Sequence, residues 1–329
     1  MTDDHPTGRR EFVRRLWRAT LTAVGCSAMG LAFWDRKGPS GMKPTSEKLV
    51  IPDYSIAELK GKMALARGAH RALSATAALK ALGGMGVFVH PGDKVLLKVN
   101  AAFATPPVLG ATTHPEMVRQ VATMCFEAGA AQVMVTDNPI NDPASCFALT
   151  GIGPAARSAG ARVMLPGPDR FESYSLDNGR LIQDWPVLAA PLLWADKLIG
   201  LAPVKDHHRS GASMTIKNWY GLLGGRRNVF HQSIHTIIAE LAMMIKPTLV
   251  LLDGTMSMMA NGPTGGSLDD LKATRTVIAG TDPVAVDAFG ATLLDKTEND
   301  LPHLKMADER GAGRSDYRSM KIIEVNADG

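Results

Sequence analysis

HPEMVRQVATMCFEAGAAQVMVTDN, residues 114–138, changes period halfway along. Met117, Val118, Val121, Met124 and Cys125 recur every three or four positions, the spacing of one apolar helical face. Pro115 fits a first helical turn, where a missing N–H does no harm, and Gly129 fits the stop. AQVMVTDN (131–138) is then a short apolar run, which suits a buried strand.

The same alternation extends in both directions. Upstream, GDKVLLKVN (92–100) follows a Pro-Gly turn and reads as a strand; downstream, GIGPAARSAGA (151–161) reads as a short helix and RVML (162–165) as a further strand. Strand, helix, strand, helix, strand implies βαβ units and a parallel sheet covered on both faces. FESYSLDNGRLIQDWPV (171–187) interrupts the series, with Asn178 and Gly179 offering the left-handed residues of a tight hairpin turn. LIGLAPVK (198–205), TLVLLDG (248–254), TRTVIAG (274–280) and MKIIEV (320–325) are the later strands, with helices over 233–245 and 282–295. The expected fold is α/β: a mostly parallel open sheet with helices on both faces and a β-hairpin insertion, without internal repeats.

Composition narrows the function classes. The chain has 329 residues, 45% hydrophobic and 21% charged, which suits a sizeable globular core. A net charge of +4, partly in the N-terminal arginines, and 5% aromatic residues give no footprint for nucleic acid. Cys26, Cys125 and Cys146 lie too far apart for a CxxC zinc knuckle and are too few for an iron–sulfur cluster. Their spacing leaves a Cys125–Cys146 disulfide open.

Residues 7–38, TGRREFVRRLWRATLTAVGCSAMGLAFWDRKG, resemble a twin-arginine export signal: Arg9 and Arg10, then Phe12, then an apolar run from Ala19 to Trp34. That run is short of the roughly 20 residues a bilayer span needs. The expected organisation is an export signal or anchor over 1–34, a Pro/Gly/Ser/Lys-rich linker over 35–55, and a single α/β domain over 56–329. It implies the twin-arginine export machinery as a partner and a periplasmic or cell-envelope location, with membrane contact through the N-terminus only if the signal is retained. Twin-arginine cargo is exported folded, which fits a cofactor inserted beforehand.

The polar residues gather at strand ends. Lys98 and Asn100, Asp137 and Asn138, Lys205 and His207, Asp253, and Asp282 each close an apolar run. In an open parallel sheet such ends share one edge, where ligands bind. Taken alone, Asp282 before Pro283 reads as a helix cap, Thr113 and His114 before Pro115 as a helix start, and Asp253 before Gly254 as a turn. Asp287, inside the apolar pattern PVAVDAFGATLL, is either a structural partner or a catalytic base. His231 and His235, four apart, either share a helical face as metal ligands or serve locally. KDHHRSGASMTIKNWYGLLGGRRNVFH (205–231) sets Lys205, Arg209, Lys217, Arg226 and Arg227 against Asp206 alone. Apolar residues interleave with these charges, so the segment packs and aims its polar groups, and lysine, arginine and Asn218 suit a carboxylate or phosphate.

Together these motifs resemble the domain-of-unknown-function 362 family: VLLKVN at 95–100, ATTHPEMVRQV at 111–121, TDN at 136–138, PVKDHHRSGASMTIKNWYGLLGGRRNVFH at 203–231, LVLLDGTMSMMANGP at 249–263 and AGTDPVAVDAFGATLL at 279–294. The resemblance implies functional positions at Lys98, Asn100, Lys205, His207, Lys217, Asn218, His231, Asp253, Asp282 and Asp287. Val99 and Thr136 depart from it, standing where proline and glycine are common. The ferredoxin-like cluster domain of many relatives has no counterpart in this cysteine pattern.

The expectation is an enzyme acting on a small anionic ligand. Lys98, Asn100, Lys205, Lys217, Asn218, Arg226 and Arg227 would bind it, and His207, His231, Asp253 and Asp287 would serve catalysis. The cofactor is undetermined, a divalent metal being one expectation. The alternative is a non-catalytic binding or cofactor-maturation protein of the cell envelope.

Overall fold

The computed structural model describes residues 8–32 and 48–328. Arg9–Ala32 forms a helix, α1, with no buried residue and an Arg15–Glu11 ion pair of 2.7 Å along its side. It belongs to a unit of its own, and among the described residues no helix is long and apolar enough to cross a membrane.

In the second unit the chain runs β1 (Lys62–Arg67), α2 (Arg71–Ala81), β2 (Lys94–Lys98), α3 (Pro115–Glu127), β3 (Gln132–Thr136), α4 (Pro143–Leu149), α5 (Ile152–Ser158) and β4 (Arg162–Met164). It continues with β5 (Phe171–Tyr174), β6 (Trp185–Leu188), α6 (Ala189–Trp194), β7 (Lys197–His207), β8 (Gly211–Ser213), α7 (Thr215–Asn218) and α8 (Ile234–Met244). β9 (Leu249–Met258), β10 (Leu271–Lys272), β11 (Thr276–Gly280), α9 (Pro283–Thr292), α10 (Pro302–Glu309) and β12 (Lys321–Asn326) complete it.

The main sheet has ten strands, in the order β12-β1-β11-β9-β7-β2-β3-β4, with β8 added to β7 and β10 to β9. Every neighbouring pair along that order is parallel except those made by β11, which runs against both β9 and β1. The expected mostly parallel α/β sheet is therefore the observed one. Strand parity sorts its core into two layers. Leu96, Leu198, Ala202, Val204, Val250 and Leu252 pack with α8, α9 and residues 216–223. Val95, Leu97, Ile199, Leu201, Leu249 and Leu251 pack with α2, α3 and α5.

Three expectations change. β11 is antiparallel, so Asp282 lies beyond the opposite edge of the sheet from Lys98, Asp137, Lys205 and Asp253; it caps α9, accepting from Val284 N at 3.0 Å and Ala285 N at 3.1 Å. The hairpin β5–β6 exists, as a separate two-stranded sheet, but its connection spans 175–184 rather than a tight Asn-Gly turn. Of that pair only Asn178 is left-handed, at φ 61°. The connection is fastened from outside. The fully buried Glu240 of α8 accepts from Arg180 N at 2.7 Å, Leu181 N at 3.0 Å and Ile182 N at 2.9 Å. Finally, most of the expected linker lies outside the described residues, but its end is part of the fold: Leu49 and Tyr54 are buried, and Tyr54 Oη donates to Leu192 O at 2.6 Å.

Candidate functional site

At the carboxyl edge of β2 and β3 the structure begins with an ion pair. Lys98 Nζ meets Asp137 Oδ1 at 2.7 Å, both side chains being buried, and also donates to Val99 O at 2.6 Å and Asn218 O at 2.9 Å. Asp137 accepts in turn from Ala101 N at 2.6 Å and Asn138 N at 2.9 Å. Burial holds the Lys98 ammonium below its ordinary value, while Asp137 opposes that fall. Asn218 donates to Lys98 O at 3.2 Å and Leu201 O at 3.1 Å. These groups satisfy one another, so they form a base for the site rather than a hand held out to a ligand.

The segment 215–231 is laid on that base. Gly221 touches it so closely that a Cβ there would stand 1.9 Å from Asp137 Oδ1. Trp219, wholly buried, closes over Gly200 of β7. Arg227 clamps the segment to the end of β3, donating to Tyr220 O at 3.0 Å, Leu223 O at 2.9 Å and Asn138 O at 2.6 Å. Its guanidinium is thus occupied by carbonyls, while Arg226 is half-buried. Asp287 has a similar structural task. It accepts from Thr215 Oγ1, from Thr215 N at 2.8 Å and from Ile216 N at 2.9 Å, anchoring the start of α7. Burial raises its carboxyl to about 7, against the opposing pull of these hydrogen bonds. Asp287 therefore positions the segment, and its partner is backbone rather than a lysine.

What the platform presents is positive and aromatic. Lys205, 1% exposed, donates to Ala111 O and lies 5.3 Å from the centre of the Phe103 ring. Burial, and then the charge of Lys217, lower it to about 7. Lys217 lies 5.2 Å over the Tyr220 ring, and burial followed by Arg227 lowers it to about 8. Among the described residues neither has a carboxylate within ion-pair reach. Asp206, the acid nearest in sequence, is instead engaged by Lys296 Nζ at 2.8 Å.

Beside the lysines stand three imidazoles. His207 stacks on His208 with ring centres 5.0 Å apart and on His231 at 6.1 Å. Buried His207 accepts through Nδ1 from Arg209 N at 3.2 Å and Ser210 N at 3.3 Å, so its proton is on Nε2. Burial, then the charge of Lys217, push it down to about 2, and it stays a neutral donor. His231 has the opposite tautomer. Its Nδ1 faces Asn228 O at 3.1 Å, and a carbonyl only accepts, so the Nε2 lone pair is free to take a proton. Burial lowers this imidazole too.

His231 and His235 do not share a face, because 227–233 is a 3-10 turn before α8 begins at Ile234. His235 stacks instead on buried His303, with their Nδ1 atoms 3.2 Å apart. Among the described residues no group of three His, Cys, Asp or Glu side chains could hold a metal ion, and Cys125 and Cys146 are buried free thiols. The residues present therefore do not fit the metal reading of that histidine pair.

Asp253 belongs elsewhere. It follows Leu249 and Leu251 in parity and faces the α2–α3 side, where Arg71 donates through Nε to Oδ2 and Thr255 N donates to Oδ1 at 2.9 Å. His114, the cap of α3, accepts through Nδ1 from Glu116 N at 3.3 Å and lines the same cleft. Asn100, buried at the end of β2, is tied through its backbone N–H to Thr113 Oγ1 at 2.8 Å. Sequence reasoning left Arg71, His208 and Tyr220 out of the candidate site and did not give Asp137 its role as the partner of Lys98. The spacing Lys205-x-His207-His208 was the available signal for His208; for Arg71, in a stretch with no strand or helix assigned, there was none.

The model of a domain of unknown function (DUF362) matches residues 95–292, which contain all of these groups except Arg71, Lys296 and His303. Thylakoid-associated protein sll1697 of Synechocystis sp. is 28% identical over 243 residues, 71% of this chain and 73% of the relative. Among solved structures, the lactate racemase apoprotein from Thermoanaerobacterium thermosaccharolyticum aligns with 79% of this chain at 12% identity and a TM-score of 0.34. The alignment takes in 58% of that protein, and a likeness of this degree carries no argument.

Proposed function

The chain belongs to the DUF362 family, and from that starting point we propose that it is an enzyme that holds a small anionic substrate between Lys205 and Lys217 and moves a proton with His231 and His207. One observation carries the reading: two inward-facing lysines without a carboxylate stand beside imidazoles of opposite tautomer. A buried cation with no counter-charge is costly, and an anionic ligand would supply what the protein omits. His207 Nε2–H would donate to the developing negative charge, and the His231 lone pair would accept a proton from the substrate. His231 can do this at neutral pH because its conjugate acid is held below the ordinary range.

Arg9, Arg10 and Phe12 ahead of the apolar run support export of the folded chain to the cell envelope. Fractionation of cells expressing Arg9→Lys together with Arg10→Lys tests this, and unchanged distribution would dismiss it.

The site reading is tested with phosphate, malonate, glycolate and pyruvate on the full chain. At least one should raise Tm at pH 7, and Lys205→Met and Lys217→Met should each lose the effect. The binding anion should exchange a C–H proton fast in D2O when it has one, and His231→Gln should slow exchange while retaining binding. Equal stabilisation of both lysine variants would remove the anion site. Binding without exchange of any C–H-bearing anion would leave a binding protein, not an enzyme.

A further inference from the structure

Across the sheet from the histidines, a cleft of about 360 Å3 opens between the starts of α2 and α3 and the loop before α3. Its volume lies at the small end of the range for ligand pockets, about 300–1,000 Å3. Pro107, Val108, Pro203, Met256, Leu268 and Leu271 make its walls, and Val108 and Leu268, 59% and 57% exposed, leave an apolar rim. Among these walls lies Thr112, 2% exposed, whose Oγ1 is buried without a hydrogen-bond partner. An unsatisfied buried hydroxyl is destabilising, and a ligand oxygen at the wall would offset that cost.

We infer that this cleft is a second binding site, for a neutral and largely apolar molecule carrying one carbonyl or hydroxyl oxygen. The inference is independent of the anion reading. Charge argues for neutrality: Arg71 is already matched by Asp253 and, at 3.8 Å, by Glu116, so the cleft has no cation to spare. The remaining polar groups suit one oxygen. His114 accepts through Nδ1 and so carries its hydrogen on Nε2, and the Thr112 hydroxyl can donate or accept. Arg71 opens α2 and His114 caps α3, so two helix starts with positive ends adjoin the cleft and favour an acceptor atom there. The lysines contribute nothing to it. Lys205 turns to Ala111 O, and the charges that act on His114 are those of Arg71, Asp253 and Glu116.

Four probes of one shape separate the chemistries: acetophenone, 1-phenylethanol, ethylbenzene and benzoate, titrated against the full chain by saturation-transfer NMR. Acetophenone or 1-phenylethanol should bind most tightly, ethylbenzene less, and benzoate least. Thr112→Val keeps the shape and removes the hydroxyl; it should weaken the best probe about three- to tenfold, the worth of one neutral hydrogen bond. Val108→Asp, at an exposed rim position where folding is not at stake, should abolish binding. Phosphate should not displace the probe. The inference falls if no probe binds, if benzoate equals acetophenone, if both variants bind like the wild type, or if phosphate competes.

Discussion

Replacing Lys205 by methionine should make this protein more stable at pH 6, although it removes a hydrogen bond. An ordinary lysine titrates at 10.5 and this one at about 7, because the protein withholds water and adds the charge of Lys217. The gap is a factor of roughly 3,000 in proton affinity, or about 5 kcal/mol of strain in the protonated folded state. Methionine fills similar space without charge. It leaves Ala111 O unpaired, which costs about 1–3 kcal/mol, so the variant should be about 2–4 kcal/mol more stable at pH 6. The sign of the pH dependence follows from the lowered folded-state value. Between pH 7 and 10.5 the unfolded chain holds a proton that the folded one has released, so wild-type stability rises with pH there. The variant's advantage should shrink by about 1.4 kcal/mol per pH unit and vanish before pH 10. Urea unfolding of both proteins from pH 6 to 10 measures this directly. A difference that stays constant over the range, or a variant less stable at pH 6, would refute the argument that the amine is held against its solvation.

Three further outcomes follow from the same geometry. Gly221→Ala should cost about 3 kcal/mol by urea unfolding, the upper end for overpacking, since its Cβ would collide with Asp137 Oδ1 at 1.9 Å; an unchanged midpoint would mean that the segment does not rest on the ion pair. Asp287, raised to about 7 from 3.8, holds a proton in the fold that the unfolded chain releases between those values. Wild-type stability relative to Asp287→Asn should therefore grow as pH falls from 7 to 4, and parallel pH profiles would disprove it. Malonate, fully ionised above pH 7, should take up a proton on binding near pH 7–8 and bind more weakly above pH 8, as Lys205 and Lys217 lose theirs; calorimetry in two buffers of different ionisation enthalpy reads the uptake, and none would oppose the lysine site.

The fold was legible where one strand has two buried faces and the next element is a helix. VLLK, QVMVT and the apolar face of 117–125 announce β2, β3 and α3 because burial on both sides of a sheet leaves a continuous apolar run. β1 was not legible in KMALAR, although Met63 to Ala66 are buried, because a run so short and alanine-containing suits helix and strand alike. The direction of β11 was not legible either: TVIAG reads the same whichever way it lies, and with it went Asp282. Lys205, His207, Lys217 and His231 came together because the chain itself brings them within 27 residues on one loop and strand end. Arg71 did not, since its partner Asp253 is 182 residues away.

Parity explains why one sheet edge presents two chemically opposed faces. Successive residues of β9 alternate faces, so Leu252 packs toward the 215–231 platform while Asp253, one step on, turns to α2 and finds Arg71. On β2 the even position 98 carries the lysine toward the platform, where Asp137 meets it. Each face therefore neutralises its own internal pair, Lys98 with Asp137 and Arg71 with Asp253, before any ligand arrives. What is left over differs. The platform face retains Lys205 and Lys217, an excess of positive charge; the helix face retains a hydroxyl, an imidazole N–H and apolar walls. An anion has a reason to enter the first and none to enter the second, and Ala111 and Thr112, adjacent in the chain, serve one side each. A ligand that engages Thr112 would thus sit one residue from the carbonyl that holds the Lys205 ammonium.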